Sequence, residues 1–380
     1  MPTSAKSIQL KYLARICNGM DKSGVESPDG TIPIYGSGGQ FSTATHALYT
    51  GDSVLLGRKG TIDKPLFVSG SFWTVDTMYY TKINQELIDP KFFFYLCNTI
   101  NFEYYKSGSV LPSMTKEDLG AIKFRVMPLD KQQKIREHLD KKLHVVDLVI
   151  NSFERRLELI GQYRQSLITR AVTKGLDPNV EMKDSGYDIA NNIPIHWVTI
   201  KLQYLCKLAT GNQDTQDAVP DGQYPFYVRS PTIERTNHVT YSGTGILMAG
   251  DGVGAGKVFH YAEGQYGIHQ RVYLLSEISD LIDPKYLFFY IKTIFSCEVE
   301  RGTAKSTVPS IRMPMLTRFL VCVPPKREQI EIMDYCQKVE EKTEAISEDI
   351  KNNIHLLKEY RSSLISAAVT GQLAIEEAAE

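Results

Sequence analysis

The sequence has no apolar run near the ~18 residues that a membrane span requires, and it opens without the charged, apolar and small-residue order of a secretion leader. A cytoplasmic chain that avoids membranes is expected. Cysteine is scarce: six residues lie scattered, with no CxxC pair and no metal-ligand spacing. Reduced, buried thiols are the plain reading. The eight histidines form no HExxH motif and no His/Cys cluster, so a metal centre is not expected. An excess of charge of either sign is missing too. A formal net charge of −1 excludes a general-purpose coat for polyanions, although local basic loops remain compatible with it.

Catalytic signatures are equally absent. No serine sits in GxSxG, and no Asn-Pro-Pro-Tyr or Asp-Pro-Pro-Tyr run is present to hold an adenine for methylation. The stretch Gly250-Asp251-Gly252-Val253-Gly254-Ala255-Gly256-Lys257 comes nearest to a phosphate cradle. It fits a loose GxGxxA but not GxxxxGK[ST], because Val258 follows the lysine. Its counterpart, Gly57-Arg58-Lys59-Gly60, has no such pattern, so both read as tight hairpins. No catalytic residue and no cofactor site is expected.

The chain does contain two long helical stretches, Leu129–Thr173 and Lys326–Thr370. In the first, Leu139, Val146, Phe153, Ile160 and Leu167 recur every seven residues, beside a second row of Leu143, Ile150, Leu157 and Ala171. In the second, Ile350, Leu357 and Leu364 form one row, and Ile354 and Ala368 the other. At ~1.5 Å per residue, each makes a helix roughly 65 Å long. Their ends are near copies, YRQSLITRAVTKGL from Tyr163 and YRSSLISAAVTGQL from Tyr360. Both place an arginine, Arg164 or Arg361, where the second row expects an apolar residue. A snorkelling side chain at the seam's edge and a register-setting polar pair both account for it. Val339 and Ile346 fall out of step, which predicts a stutter. Each helix follows proline, Pro128 leading to Gln132 and Pro325 to Gln329. Two such helices bury their seams against each other or against a partner.

The segments before the helices also repeat. Gln9–Leu13 matches Lys201–Leu205, Ile32–Ser37 matches Tyr224–Arg229, and Gly51–Gly57 matches Gly243–Ala249. Leu87–Phe92 matches Leu281–Tyr286, and Pro112–Met114 matches Pro309–Ile311. Duplication over this length means two homologous domains. Each domain reads as mixed α/β (α+β), with short apolar strands such as Val54–Leu56 and Trp73–Thr81. Asp-Pro-Lys openings predict helices over Pro90–Thr99 and Pro284–Phe295. The strand order cannot be read from the sequence. The joint Gly175–Pro194 reads as a polar linker. The expected organisation is a first domain over 1–128, a helix over 129–175, linker and second domain over 176–325, and a second helix over 326–380, with the two helices paired antiparallel in pseudo-twofold fashion.

Basic, hydroxyl and aromatic residues recur in matching loops of the two domains. The first offers Ser37, Gln40, Arg58, Lys59, Lys64, Trp73, Lys106 and Ser113. The second offers Arg229, Ser230, Arg235, Lys257, His269, Gln270, Arg271, Lys305 and Ser306. Arg and Gln read base edges bidentately and Lys neutralises phosphate. The scaffold repeats while these sets differ, as expected of two units that read different sequences with one framework. The helix-pairing residues are Val146, Ile150, Phe153, Leu157, Ile160, Leu167, Ile350, Ile354, Leu357 and Leu364.

Taken together, the twin Pro-to-Gln helix starts, the YRQSLI and YRSSLI ends, LLGRKG from Leu55, LMAGDG from Leu247 and the two Asp-Pro-Lys helices resemble the specificity subunit of Type I restriction–modification enzymes. The resemblance covers nearly the whole chain. It implies two target-recognition domains that each read half of a bipartite site in double-stranded DNA, with paired helices fixing the gap. It implies a subunit without catalysis of its own. Two modification subunits, methylating adenine with S-adenosylmethionine, would dock on it, and restriction subunits using ATP and magnesium would join them. The second domain opens with Ile193-Pro194-Ile195-His196-Trp197, a common opening in the family, which the first domain lacks. The alternative is a protein–protein scaffold that carries two adaptor domains on a coiled coil.

Overall fold

The computed structural model describes residues 5–105, 112–303 and 310–373. The chain divides into two compact units, Met1–Glu154 with Lys351–Glu380, and Arg155–Ile350. Their sheets repeat the same strand order.

In unit 1, Ala14–Asn18, Met78–Ile83, Ser53–Gly57 and Leu66–Val68 form a four-stranded antiparallel sheet in that spatial order. A second sheet has the order Gly39–Ala44, Ile32–Gly36, Ser71–Thr74, Tyr49–Thr50, with one parallel pair, Ile34 opposite Trp73 and Tyr35 opposite Thr74. Unit 2 repeats the first sheet as Lys207–Thr210, Val272–Ser276, Gly245–Ala249, Phe259–Ala262. It repeats the second as Glu234–Thr236, Tyr224–Tyr227, Gln265–Ile268, Tyr241–Ser242, again with a single parallel pair. The strand Ser53–Gly57 is buried along its whole length because it separates two cores. Val54 and Leu56 face one and Leu55 the other. Alternating side chains therefore all meet apolar neighbours, and the strand reads as a continuous apolar run. Ile246, Met248 and Leu247 divide in the same way in unit 2.

The two Asp-Pro-Lys helices form as their caps dictate. The Asp89 carboxylate accepts from the Lys91 and Phe92 N–H groups at the start of Pro90–Cys97. Asp283 does the same for Lys285 and Tyr286 at the start of Pro284–Tyr290. The second helix does not stop at Phe295. A π-helical turn over Ile291–Phe295 carries it into Ser296–Thr303.

The long helices span Leu129–Lys174 and Lys326–Val369, of 46 and 44 residues. Within unit 1, Leu139 and Leu143 share a core with Leu364, Ile365, Ala368 and Val369 of the other helix. Within unit 2, Ile168, Ala171 and Val172 share one with Ile332, Cys336 and Val339. The helix segments run antiparallel in each unit. Asp147 meets Arg361 at 3.1 Å and Glu154 meets Lys358 at 3.7 Å in unit 1, and Arg164 meets Glu344 at 3.5 Å in unit 2. Arg164 and Arg361 thus form inter-helix ion pairs at a half-exposed edge, which combines the two sequence-based readings. Of the expected seam residues, Val146, Ile150, Ile350, Ile354 and Leu364 are buried, while Phe153, Leu157, Ile160, Leu167 and Leu357 are half-buried. The stutter is real. Buried positions run Ile332, Cys336, Val339, Thr343, and then Ser347 rather than Ile346 turns inward before Ile350. Ile346 is 49% exposed. The inward hydroxyls of Thr343 and Ser347 bond to the Val339 and Thr343 carbonyls, at 2.8 and 2.7 Å.

Each unit is locked to its own helix by a fully buried glutamine. Gln132 accepts from the Asp89 N–H at 2.8 Å and donates to the Leu87 and Met127 carbonyls at 3.1 and 2.7 Å. Gln329 repeats this with Asp283, Leu281 and Pro324, at 2.6, 3.0 and 2.8 Å.

The joint Gly175–Pro194 is not a plain linker. Met182–Asp184 pairs with Asn192–Pro194, and Ala190 and Ile193 enter the unit 2 core beside Trp197. The Trp197 indole N–H donates to Glu328 at 2.9 Å. Buried apolar residues within a polar stretch thus anchor a short hairpin to the core.

Candidate nucleic-acid interface

The candidate loops are held by main-chain hydrogen bonds, and in the same manner in both units. In unit 1, the Arg58 N–H donates to the Thr77 carbonyl at 2.9 Å and Met114 N–H to the Arg58 carbonyl at 3.0 Å. Lys59 and Ser113 face one another in an antiparallel bridge. In unit 2, Gly250 N–H donates to Arg271 O at 2.9 Å and Ile311 N–H to Gly250 O at 2.8 Å, while Asp251 and Ser310 form the bridge. Gly60 and Gly252 close the two turns at φ +83° and +72°, a region that disfavours any side chain.

On the unit 1 frame, the Arg58 guanidinium donates to the Asp76 carbonyl at 3.3 Å and lies 6.0 Å from the Tyr79 ring centre. The Lys116 ammonium lies 5.8 Å from the same ring. Arg58, Tyr79 and Lys116, with Asn18, Lys59 and Ser113, line a hollow of about 410 Å³. Ser37 sits in the turn between Ile32–Gly36 and Gly39–Ala44, and Gln40, Lys59 and Lys64 are exposed. Trp73 is a correction. It is 6% exposed, packs with Val25, Ile34 and Ala44, and donates its indole N–H to the Met20 carbonyl at 3.1 Å. Its role is in the core, because its strand is covered on the face that Trp73 occupies.

In unit 2, one carboxylate gathers two arginines. Asp251 Oδ1 lies 2.7 Å from Arg229 Nη1, and its Oδ2 lies 3.0 Å from Arg271 Nη1. Partial burial works to raise the Asp251 carboxyl, but the hydrogen bonds and charges of Arg229 and Arg271 outweigh it and hold the group below its ordinary range. Gln270 is exposed and donates to Asp214 at 3.2 Å, and Lys257 is exposed. Arg235 straps the sheet edge, donating to the Gly222 and Gln223 carbonyls at 2.9 and 3.0 Å. Ser230 turns onto Thr232. His269 is the second correction. It is 3% exposed, and its Nδ1 accepts the Arg271 N–H at 3.0 Å, so the ring props up the loop from inside. Lys106, Lys305 and Ser306 lie outside the described residues.

Sequence reasoning missed Asp251, Asp214 and Tyr79. A signal for Asp251 was available, since it stands where the first domain has Lys59, a charge reversal inside a repeat. Among the described residues no His/Cys/Asp/Glu group is placed to hold a metal ion, and no helix is long and apolar enough to cross a membrane. Burial pushes the Cys322 thiol up to about 11 and those of Cys206 and Cys336 up to about 12, so none of the three is a ready nucleophile.

Two histidines give unit 2 a pH dependence. Burial lowers His269, with the Arg229 charge adding to it and Asp214 opposing. Burial also lowers His260, against the opposing Ser230 carbonyl. In both, the fold favours the neutral ring. As pH falls below the ordinary histidine value of about 6.5, the unfolded chain takes up protons more readily than the folded unit, and stability falls. Unit 2 is therefore expected to melt at a lower temperature at pH 5.5 than at pH 7.5, and a His260→Gln, His269→Gln chain to show a smaller difference by differential scanning calorimetry. An equal difference would remove these rings as its source.

The family model described as Type I restriction modification DNA specificity domain matches residues 4–149 and 194–356. The specificity subunit of the type I restriction enzyme EcoDI of Escherichia coli is 28% identical over 187 residues, 49% of this chain. The match spans only 41% of that protein's length. A putative type I restriction enzyme specificity subunit of Haemophilus influenzae is 22% identical over 347 residues, 84% of this chain and 83% of that one. Among solved structures, a chain from work on complex assembly and conformational transition of the type I R-M system superposes with a TM-score of 0.71 at 15% identity. That match covers 98% of this chain and 99% of the other, and it shows a shared fold.

Proposed function

Because this chain belongs to the Type I restriction modification DNA specificity family, we propose that it is the DNA-reading subunit of such a complex, each unit reading one half of a bipartite site. The observation that carries this is the pairing of an unchanged backbone frame with unlike side chains: Arg58 and Lys59 in one unit, Arg229, Asp251 and Arg271 in the other. Loops of each unit enter a major groove, where donors on Arg and Lys meet base acceptors. The long helices set the gap between half-sites, as the separation of half-sites is set by geometry in dimeric readers. Their outer faces dock two modification subunits, and restriction subunits join the assembly in the cytoplasm. S-adenosylmethionine, ATP and magnesium act on those partners, which carry out methylation and cleavage. A near-neutral chain suits this arrangement, since the partners share the grip on phosphate.

The test is methylation mapping. The chain is expressed with its neighbouring methyltransferase in a methylation-free host, and modified adenines are read by single-molecule sequencing. The expected result is one motif, two short defined parts around a fixed unspecified gap. No motif, with the methyltransferase active beside another specificity chain, would leave the scaffold role instead.

A further inference from the structure

Four positions in unit 1, Ser37, Arg58, Lys59 and Thr77, stand where unit 2 has Arg229, Gly250, Asp251 and Arg271. The main chain fixes the correspondence, since the bond from Arg58 N–H to Thr77 O is matched by that from Gly250 N–H to Arg271 O. Val75 N–H donates to Tyr35 O as His269 N–H does to Tyr227 O, which places Ser37 opposite Arg229. A Cβ built on Gly60 would meet Ser37 Oγ at 3.2 Å, and one built on Gly252 would meet Arg229 Nη1 at 3.7 Å. Each set therefore gathers at one turn.

At these four positions every side chain differs, while the bridging Ser113 and Ser310 on the same frame are alike. Unit 1 places the cation of Arg58 beside Tyr79. Unit 2 has Gly250 there, where even a Cβ would sit 3.0 Å from the Tyr273 ring, and supplies its cation from Arg271, in the turn just before the strand Val272–Ser276. Asp251 engages one nitrogen of each arginine. A guanidinium has five N–H donors, so most remain available. The Arg229 and Arg271 side chains are 40% and 57% exposed, and exposed ion pairs add little to stability. What the carboxylate does supply is orientation. Phosphate is identical in both half-sites and would not call for different chemistry in the two units, whereas bases would.

We propose that these four positions form the base-reading set of each unit, and that Asp251 is a positioning residue that presents Arg229 and Arg271 to the acceptor edge of a guanine in the second half-site. The proposal rests on the DNA-reading role given above. A planar guanidinium held by a carboxylate offers the fork that matches guanine O6 and N7.

The test compares methylation maps of the complex carrying the wild-type chain, Arg271→Gln, Asp251→Asn and Lys59→Gln. Arg271→Gln is expected to lower discrimination for guanine at one position of one half-site by about 10- to 100-fold, and Asp251→Asn to relax that same position. Lys59→Gln is expected to alter the other half-site alone. All three replace partly or fully exposed side chains, and the melting temperature of each purified complex checks that folding is intact. An unchanged motif in the variants would overturn the proposal. So would a uniform loss across all sites with a shallower salt dependence, the mark of a phosphate contact. A wild-type complex that gave no bipartite motif would overturn the DNA-reading role itself, and this inference with it.

Discussion

Inserting one heptad into each long helix, as a second copy of Phe153–Leu159 and of Lys351–Leu357, is expected to widen the gap in the recognised sequence by about 3 base pairs. Seven residues add roughly 10.5 Å of helix, and B-form DNA advances about 3.4 Å per base pair. A whole heptad keeps Leu139, Leu143, Leu364 and Ala368 on their own seams, so each core is preserved. The DNA pays a penalty that the protein does not. With about 10.5 base pairs per turn, three more rotate one half-site against the other by roughly 100°. The widened site is therefore expected to be methylated more slowly than the original, with both half-sites unchanged. Methylation mapping of the lengthened chain reads both quantities, and a gap of unaltered width would take the helices out of the spacing.

The second large effect concerns the buried glutamines. Gln329→Ala leaves the Asp283 N–H and the Leu281 and Pro324 carbonyls without partners. Unsatisfied buried groups cost about 1–3 kcal/mol each, so a loss of roughly 3–5 kcal/mol is expected, in the range reserved for broken buried networks. For a unit of this size that corresponds to a melting temperature lower by about 10 °C. Gln329→Glu separates hydrogen bonding from packing. It keeps the volume, yet it turns an oxygen toward two carbonyls that need a donor. Thermal unfolding is expected to show Gln329→Glu at least as damaging as Gln329→Ala. A mild Gln329→Glu would mean that filling space is the glutamine's main contribution. Gln132→Ala and Gln132→Glu are expected to rank in the same order in unit 1, where the same three bonds are made.

The long helices were legible because a heptad pattern reports directly on a buried stripe, and the duplication was legible because both copies keep their turns. Strand order was hidden for a physical reason. Val54, Leu55 and Leu56 are all buried, on opposite faces of one strand, so no alternation remains to show which face meets which neighbour. The parallel pairing of Ile34 with Trp73 joins segments that are distant in sequence, and nothing local specifies it. At the candidate interface, side-chain type was readable and side-chain direction was not. Trp73 and His269 have the chemistry of base contacts, but both point inward. Arg235 has the chemistry of a reader, yet part of its fork is spent on two carbonyls of its own sheet. Asp251 escaped notice because a search for donors passes over a carboxylate, although its exchange for Lys59 within a repeat marked the position. The paired Pro128–Gln132 and Pro325–Gln329 spacings were visible as helix starts, while their function as latches required the positions of Asp89 and Asp283.

Unit 2 is continuous in sequence, from Arg155 to Ile350, whereas unit 1 needs Met1–Glu154 together with Lys351–Glu380. Leu364, Ile365, Ala368 and Val369 complete a core whose other members include Leu10, Leu13 and Phe92. During synthesis the first-made unit is therefore the last to close. It waits with apolar surface uncovered while unit 2, begun later, has every residue it needs. Contacts spanning this much of the chain are slow to form, and exposed cores invite aggregation. A ribosome that stops a few residues before Leu364 releases a chain whose later half is whole and whose earlier half is not.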